Sequence, residues 1–262
     1  MQYELKQLAY HLYQGYLSSL IKNGLVVVIA YYLLFVLFKD KLKKYKINKN
    51  HEPSLKQISS EMRNGLLVFF ISACFYSLGF YLRRFGITKY YSDYHQYGLA
   101  WSVASFFIVW AIHETWFYWI HRLMHKPFLY YKIHYLHHES VEVNPLSGLS
   151  FHVLENLLVS IYIIPIAMVI PIYGPGMFIY FIINLIINLY EHCGYEFFPN
   201  WYLKSIFRYL IPSTFHHQHH THYMGNYGAH FRFWDKWMGT EFPDFEETFL
   251  KVKLEDTEDK SN

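Results

Sequence analysis

Apolar residues run along this chain in five long segments, near Leu17–Phe38, Asn64–Leu82, Gly98–Ile120, Phe151–Ile170 and Gly176–Tyr190. Each approaches the roughly 20 mainly apolar residues that a helix needs to cross the hydrocarbon core of a bilayer. The pattern predicts an all-α, polytopic membrane helical bundle of four or five transmembrane or re-entrant helices. Only Pro171-Ile-Tyr-Gly-Pro175 separates the last two segments. That breaker-rich stretch predicts a tight helical hairpin that either spans or re-enters.

The polar positions between the segments set an orientation. Lysines crowd KDKLKKYKINKN, Lys39 to Asn50, and Lys56 and Arg63 follow; the positive-inside bias puts this loop in the cytoplasm. Alternate crossings then bring the chain back to the cytoplasmic side near Ile120 and again after Tyr190. The expected organisation is an N-terminal membrane region over 1–97 with two spans and the lysine-rich loop, a catalytic domain over 98–245 with a cytoplasmic histidine-rich helical cap, and a polar, disordered tail over 246–262.

Composition agrees with a membrane protein: 53% hydrophobic, 21% aromatic and only 16% charged residues are too apolar and too lightly charged for a soluble domain of this length. The formal charge of +3 gives no basis for a nucleic-acid partner, since the aromatics sit in apolar runs rather than among basic clusters. With only Cys74 and Cys193 there is neither a disulfide framework nor a cysteine-based zinc module. The N-terminal MQYELKQLAYHLYQG lacks the pattern of a cleaved secretory signal.

Histidine carries the chemistry. Twelve of the 17 histidines fall in two windows, His113–His138 and His216–His230. Helical positions i, i+3 and i+4 share a face, so HRLMH presents His121 and His125 together. HYLHH presents His134, His137 and His138, and HHQHH repeats that spacing with His216, His219 and His220. Eight imidazoles exceed the four to six ligands of one first-row ion, which implies two metals. Imidazole suits Zn, Cu, Fe and Ni alike; a hydrolytic zinc motif would read HExxH, whereas this chain has His113-Glu114-Thr-Trp-Phe. A histidine-rich, carboxylate-poor pair at the end of a lipid-facing bundle fits iron that activates dioxygen. His11, His51, His95 and His230 read as ordinary polar residues, and His217 and His222 as neighbours off the spacing.

These boxes, together with EHCGYEFFP and HYMGNYGAHFRFWDKWMGT, resemble the sterol desaturase and fatty acid hydroxylase superfamily of integral membrane enzymes, from about Glu114 to Glu241. The resemblance implies a non-haem di-iron site, with zinc as the ion that can replace iron on isolation, and O2-dependent hydroxylation or desaturation of a lipid C–H bond. It makes the eight box histidines metal ligands and His192, in EHCG, a ninth. Asn188, four residues earlier, stands where some relatives carry another histidine and would hold a metal-bound water. Glu114, Glu155, Glu196 and Asp235 sit at positions matching groups that orient the imidazoles, and His152 matches a family histidine followed by Pro, here Val153.

Other readings stay open at this point. The Trp116–Trp119 run suits a lipid channel or an interfacial belt, and Asn144 and Asn226 suit turns over the metals. The chain has neither a dinucleotide-binding GxGxxG nor a haem module, so electrons are expected from a separate donor, cytochrome b5-like or ferredoxin-like with its reductase. The expected location is the endoplasmic reticulum in a eukaryote or the inner membrane in a bacterium. Two alternatives accompany this reading: an alkylglycerol-type ether monooxygenase, and a histidine-rich membrane metal-binding or transport protein.

Overall fold

The computed structural model describes residues 2–258. Among the described residues, four helices are long and apolar enough to cross a membrane: α1 (Tyr3–Leu37), α2 (Leu55–Arg84), α3 (Gly98–Met124) and, later in the chain, Gly174–Glu191. The first begins well before the expected Leu17, because Gln2–Ser19 is already helical. Two π-turns interrupt it, at Leu20–Gly24 and Leu33–Leu37. Helix α2 opens on Ser54, whose side chain accepts from the Gln57 N–H, a standard way to satisfy a free amide at a helix start.

The fourth apolar segment is broken. It forms two short helices, α4 (Val153–Ser160) and α5 (Ile163–Val169). Pro165 has no N–H to donate back to Ile161, which accounts for the interruption. Neither piece is long enough to span by itself, and together they run from the second box to the loop before α3, where Lys89 N donates to Ala167 O at 2.6 Å. The Pro171–Pro175 turn leads into the last span, α6 (Gly174–Glu191). Its backbone is satisfied by a short parallel pairing of Ile172–Tyr173 with Tyr90–Tyr91, which ties the hairpin tip to the loop before α3.

A polar cap follows, built on α7 (Ser213–His222), α8 (Phe233–Met238) and α9 (Phe245–Glu258). Helix α9 corrects the expected disordered tail. Phe245 and Phe249 are fully buried and pack with Phe215 and Tyr202, and Val252 is buried as well. Apolar residues at helical spacing hold down an otherwise polar segment. Residues 259–262 of that tail lie outside the described residues.

The lysine-rich loop folds back on this cap. Ile47 N donates to Gly194 O and Glu196 N to Tyr45 O, and the buried Lys46 pairs with Glu52 at 2.6 Å.

Candidate metal centre

Helix α3 ends on the first box: His121 lies in its last turn and His125 is its C-cap. Pro127 then starts a new turn, and the chain reverses. A π-turn over Tyr130–His134 leads into the short helix Tyr135–His138; such local widening re-aims side chains and recurs at functional sites. The third box lies on α7, whose residues Ser213–His220 are all buried.

These elements bring nine histidines into two adjoining clusters. His121, His125, His134, His138 and His219 form cluster A, and His137, His192, His216 and His220 form cluster B; within each, the candidate ligand atoms all lie within 4.8 Å of one another. None of the nine is more than 5% exposed, so they are not surface decoration. The boxes are interleaved. The middle histidine of HYLHH, His137, leaves its box for cluster B, and the middle histidine of HHQHH, His219, leaves its box for cluster A.

The ring nitrogens are sorted by role. In cluster A, Nδ1 of His121 donates to Tyr227 O at 2.9 Å, that of His219 to Gly225 O at 2.7 Å, and that of His134 to Glu155 Oε1 at 2.7 Å. In cluster B, Nδ1 of His137 donates to Ser150 O at 3.2 Å and that of His192 to Asn188 O at 2.9 Å. Each such bond fixes the tautomer that leaves Nε2 with its lone pair.

Those Nε2 atoms face one another. Separations are 3.1 Å for His121–His134, 3.0 Å for His125–His134 and for His138–His134, 3.0 Å for His192–His216 and 3.1 Å for His216–His220. Lone pairs so close repel unless a cation lies between them. With metal–nitrogen bonds of about 2.1 Å, ligands at right angles stand about 3.0 Å apart, so the donor set fits two ions. His219 Nε2, buried without a hydrogen-bond partner, fits as a further ligand to cluster A.

Burial, reinforced by neighbouring imidazoles, holds His134, His138, His216, His219, His220 and His137 well below the ordinary histidine value. Burial also takes His192 down to about 4. The clusters are therefore neutral at physiological pH, the protonation state that metal binding requires.

Among the groups expected to orient the imidazoles, Glu155 does so directly through His134. Asp235 acts one step back: it accepts from the Tyr227 and Gly228 N–H groups at 2.8 and 2.7 Å and from Thr240 Oγ1 at 2.8 Å. It thereby pins the loop whose carbonyls orient His121 and His219, and burial raises its pKa to about 6. Glu196 accepts from Thr214 N and Oγ1 and from Tyr190 OH, fixing the start of α7 rather than touching an imidazole. Asn188 serves His192 through its main-chain carbonyl. Its side-chain oxygen lies over Gly148, where an added Cβ would come within 2.4 Å of it. Asn226, at φ 57°, donates to Phe215 O at 3.0 Å and so joins its turn to α7.

Three expectations are corrected. Glu114, expected beside His121, instead pairs with His230 Nδ1 at 2.6 Å and accepts from the His230 and Phe231 N–H groups. It shares a helical face with His121 but stands two turns, about 10 Å, further along the axis, beyond the boxes and within reach of the His230 loop. His152 is a helix cap, its Nδ1 accepting from Leu154 N at 3.2 Å. His230, read as ordinary, belongs with His113 and Glu114 to a third buried group. Trp110, His113 and Glu114 at i, i+3 and i+4 on α3 were the available signal.

The sequence reading also missed α2. Its buried Glu61 accepts from Ser140 Oγ at 2.7 Å and Asn144 Nδ2 at 2.9 Å. Its buried Asn64 donates to Ser150 Oγ at 3.0 Å, on the residue whose carbonyl orients His137. No local motif marks these partners, which are about 80 residues away in sequence.

The fatty acid hydroxylase family matches residues 106–240, half of the chain, and the match takes in every box histidine. The chain belongs to the fatty acid hydroxylase family. That family is iron-dependent, and the clusters here are groups that can bind metal. Among curated relatives, very-long-chain aldehyde decarbonylase GL1-7 of Oryza sativa subsp. japonica is 32% identical over 134 residues, 47% of this chain and 20% of that protein. Methylsterol monooxygenase erg25B of Aspergillus fumigatus is 26% identical over 210 residues, 76% of this chain and 68% of the relative. Delta(7)-sterol 5(6)-desaturase ERG3B of Gibberella zeae is 25% identical over 155 residues, 59% and 47% respectively. The alignment thus covers from a fifth to about two-thirds of these relatives' lengths. No solved structure matches the chain. This member of the fatty acid hydroxylase family is a multi-pass membrane protein by its four apolar helices.

Proposed function

We propose that this protein is a non-haem di-iron oxidoreductase that uses O2 to oxidise a C–H bond of a membrane lipid, by hydroxylation or desaturation. The observation that carries the reading is the pair of neutral, inward-facing histidine clusters, five and four imidazoles, buried at the ends of membrane helices. His121, His125, His134, His138 and His219 would hold one ion, and His137, His192, His216 and His220 the other. Iron bound there supplies the redox chemistry with dioxygen. The methylsterol monooxygenase, aligned over most of this chain, favours hydroxylation of a sterol-like or fatty acyl lipid.

The chain's own residues position and protect. Tyr227, Gly225, Ser150 and Asn188 carbonyls and the Glu155 carboxylate set the imidazole tautomers. The surrounding aromatic side chains exclude water: Tyr227 against His125, Phe151 stacked on His137 and Tyr223 against His138. Hydroxylation consumes one O2, two electrons and two protons and releases one water. The electrons would come from a separate cytochrome b5-like or ferredoxin-like donor, reaching a cytoplasm-facing centre beside the lysine-rich loop. The membrane would be the endoplasmic reticulum of a eukaryote or the inner membrane of a bacterium.

The test is metal analysis and oxygen uptake by the purified protein, with lipid extracts compared by mass spectrometry with and without the gene. Two irons per chain, uptake that needs both lipid and reductant, and an oxidised lipid missing from the deletion are expected. Two bound irons with no oxygen uptake under any lipid and reductant would leave a metal-binding protein and sink the enzyme reading.

A further inference from the structure

A cavity of about 560 Å³ opens between α1 and α2, two helices that precede the residues matched by the family. Leu25, Val28, Gly65, Leu66, Leu146 and Leu149 are among its walls. Leu25, Val28 and Leu66 are each about half exposed, so its outer edge faces the lipid. Its volume falls in the range of small-ligand sites.

The inner wall is what distinguishes this groove from an ordinary gap between membrane helices. Leu149 and Gly148 belong to one 3-10 turn, Ser147–Leu149. Leu149 lines the groove and lies 3.5 Å from where a Gly65 Cβ would stand. Gly148 sits against the outer edge of the cluster B ligand His192, its added Cβ falling 3.2 Å from Nδ1. One turn therefore has the groove on one side and cluster B on the other. The next residue, Ser150, orients His137 through its carbonyl and is held by Asn64 of the groove-lining helix.

One end of the groove is polar. Glu61 and Arg63 line it, but the Glu61 carboxylate is engaged by Gln57, Ser140 and Asn144. Arg63 is exposed and makes a single long contact, 3.4 Å to Ser60 Oγ. That leaves a cation at the end of an apolar slot, ready for an oxygen-bearing head group.

We infer that this groove is the site where the lipid substrate lies before cluster B, its oxygen function at Arg63 and its apolar body along Leu66, Val28 and Leu25. The inference rests on the lipid-oxidase reading above. Free fatty acids and sterols share the required chemistry, a single apolar body with oxygen at one end.

Photo-crosslinking of the full chain in liposomes tests the site with two probes, diazirine-bearing palmitic acid and diazirine-bearing cholesterol. Label is expected on groove residues. Val28→Trp and Leu66→Trp, which fill the slot from the lipid side, should each cut groove labelling and lipid oxidation about tenfold. Val103→Trp, at an equally exposed position on α3, should leave both unchanged, and iron content should stay at the wild-type level in all three. Arg63→Gln should weaken labelling by whichever probe carries the fitting head group: loss for palmitate alone identifies a carboxylate, loss for cholesterol alone a hydroxyl. Label spread evenly over the exposed helix faces, or labelling and turnover untouched by both groove tryptophans, would overturn the proposal. The outcomes are separable from the parent reading, because groove labelling needs neither iron nor oxygen.

Discussion

Clusters A and B draw on matching pieces of chain. Helix α3 ends with His121 and, four residues on as its C-cap, His125; HYLHH follows. Helix α6 ends with Asn188 and, four residues on as its C-cap, His192; HHQHH follows on α7. Each box gives its i and i+4 histidines to its own cluster and its middle histidine to the other. The correspondence breaks at one place: Asn188 stands where cluster A has His121, so one cluster has five imidazoles and the other four. Cluster B is also the one beside the groove. If each cluster holds an ion, as proposed above, the position left unfilled by protein would make A the closed member of the pair and B the one open to an external molecule.

The comparison is open to direct attack. The largest effect is expected from His137→Ala, which removes the histidine crossing from box two to cluster B. Activity should vanish and iron should fall to the content of one cluster, with expression largely intact; unchanged turnover would refute the assignment. Asn188→His tests the difference itself. If it fills the fifth position of B, oxygen uptake should drop about 100-fold while iron is retained, and full activity would mean that the asymmetry has no functional weight. Glu155→Gln loosens His134 and should weaken metal in A by roughly 10-fold, with B little changed, as read by metal titration.

Smaller effects should come from Asn64→Ala. Losing its bond to Ser150 should cost about 1–3 kcal/mol of stability and shift the spectroscopic signature of iron in B but not in A. An equal shift in both would show that α2 braces the whole centre. The pH dependence follows from the depressed histidines. Burial holds His192 at about 4 and six others well below the ordinary histidine value, whereas in the unfolded chain they protonate near 6.5. Below about pH 6.5 the unfolded state therefore binds more protons, so this contribution to stability is complete above that value and declines as pH falls towards the folded values. Thermal melts of metal-stripped protein from pH 7.5 to 4.5 should show the decline, and a flat profile would contradict the buried, neutral clusters.

Much of this architecture is legible in the residues. Long apolar runs mark the spans, and i, i+3, i+4 spacing marks the histidines that share a face. What spacing cannot express is which face meets which. His137 and His138 are neighbours in sequence but lie on different helical faces, and only the packing of α7 against the second box assigns them to different clusters. The same limit hides Glu61 and Asn64, polar residues in an apolar run whose partners lie beyond any local pattern. It also led Glu114 astray: a two-turn spacing from His121 says nothing about a loop 116 residues later that delivers His230 to it. Pro165 was visible as a breaker inside the fourth apolar segment, and its consequence, a pair of short helices in place of one, follows from the missing N–H.

The adjacent pairs His137-His138 and His219-His220 each straddle the two clusters, so a single peptide unit, twice over, yokes one coordination sphere to the other. Seating an ion in one cluster would also order backbone on which the other depends. On the two-ion proposal, uptake of the first ion would make the second easier to bind, a coupling that these two peptide units would carry.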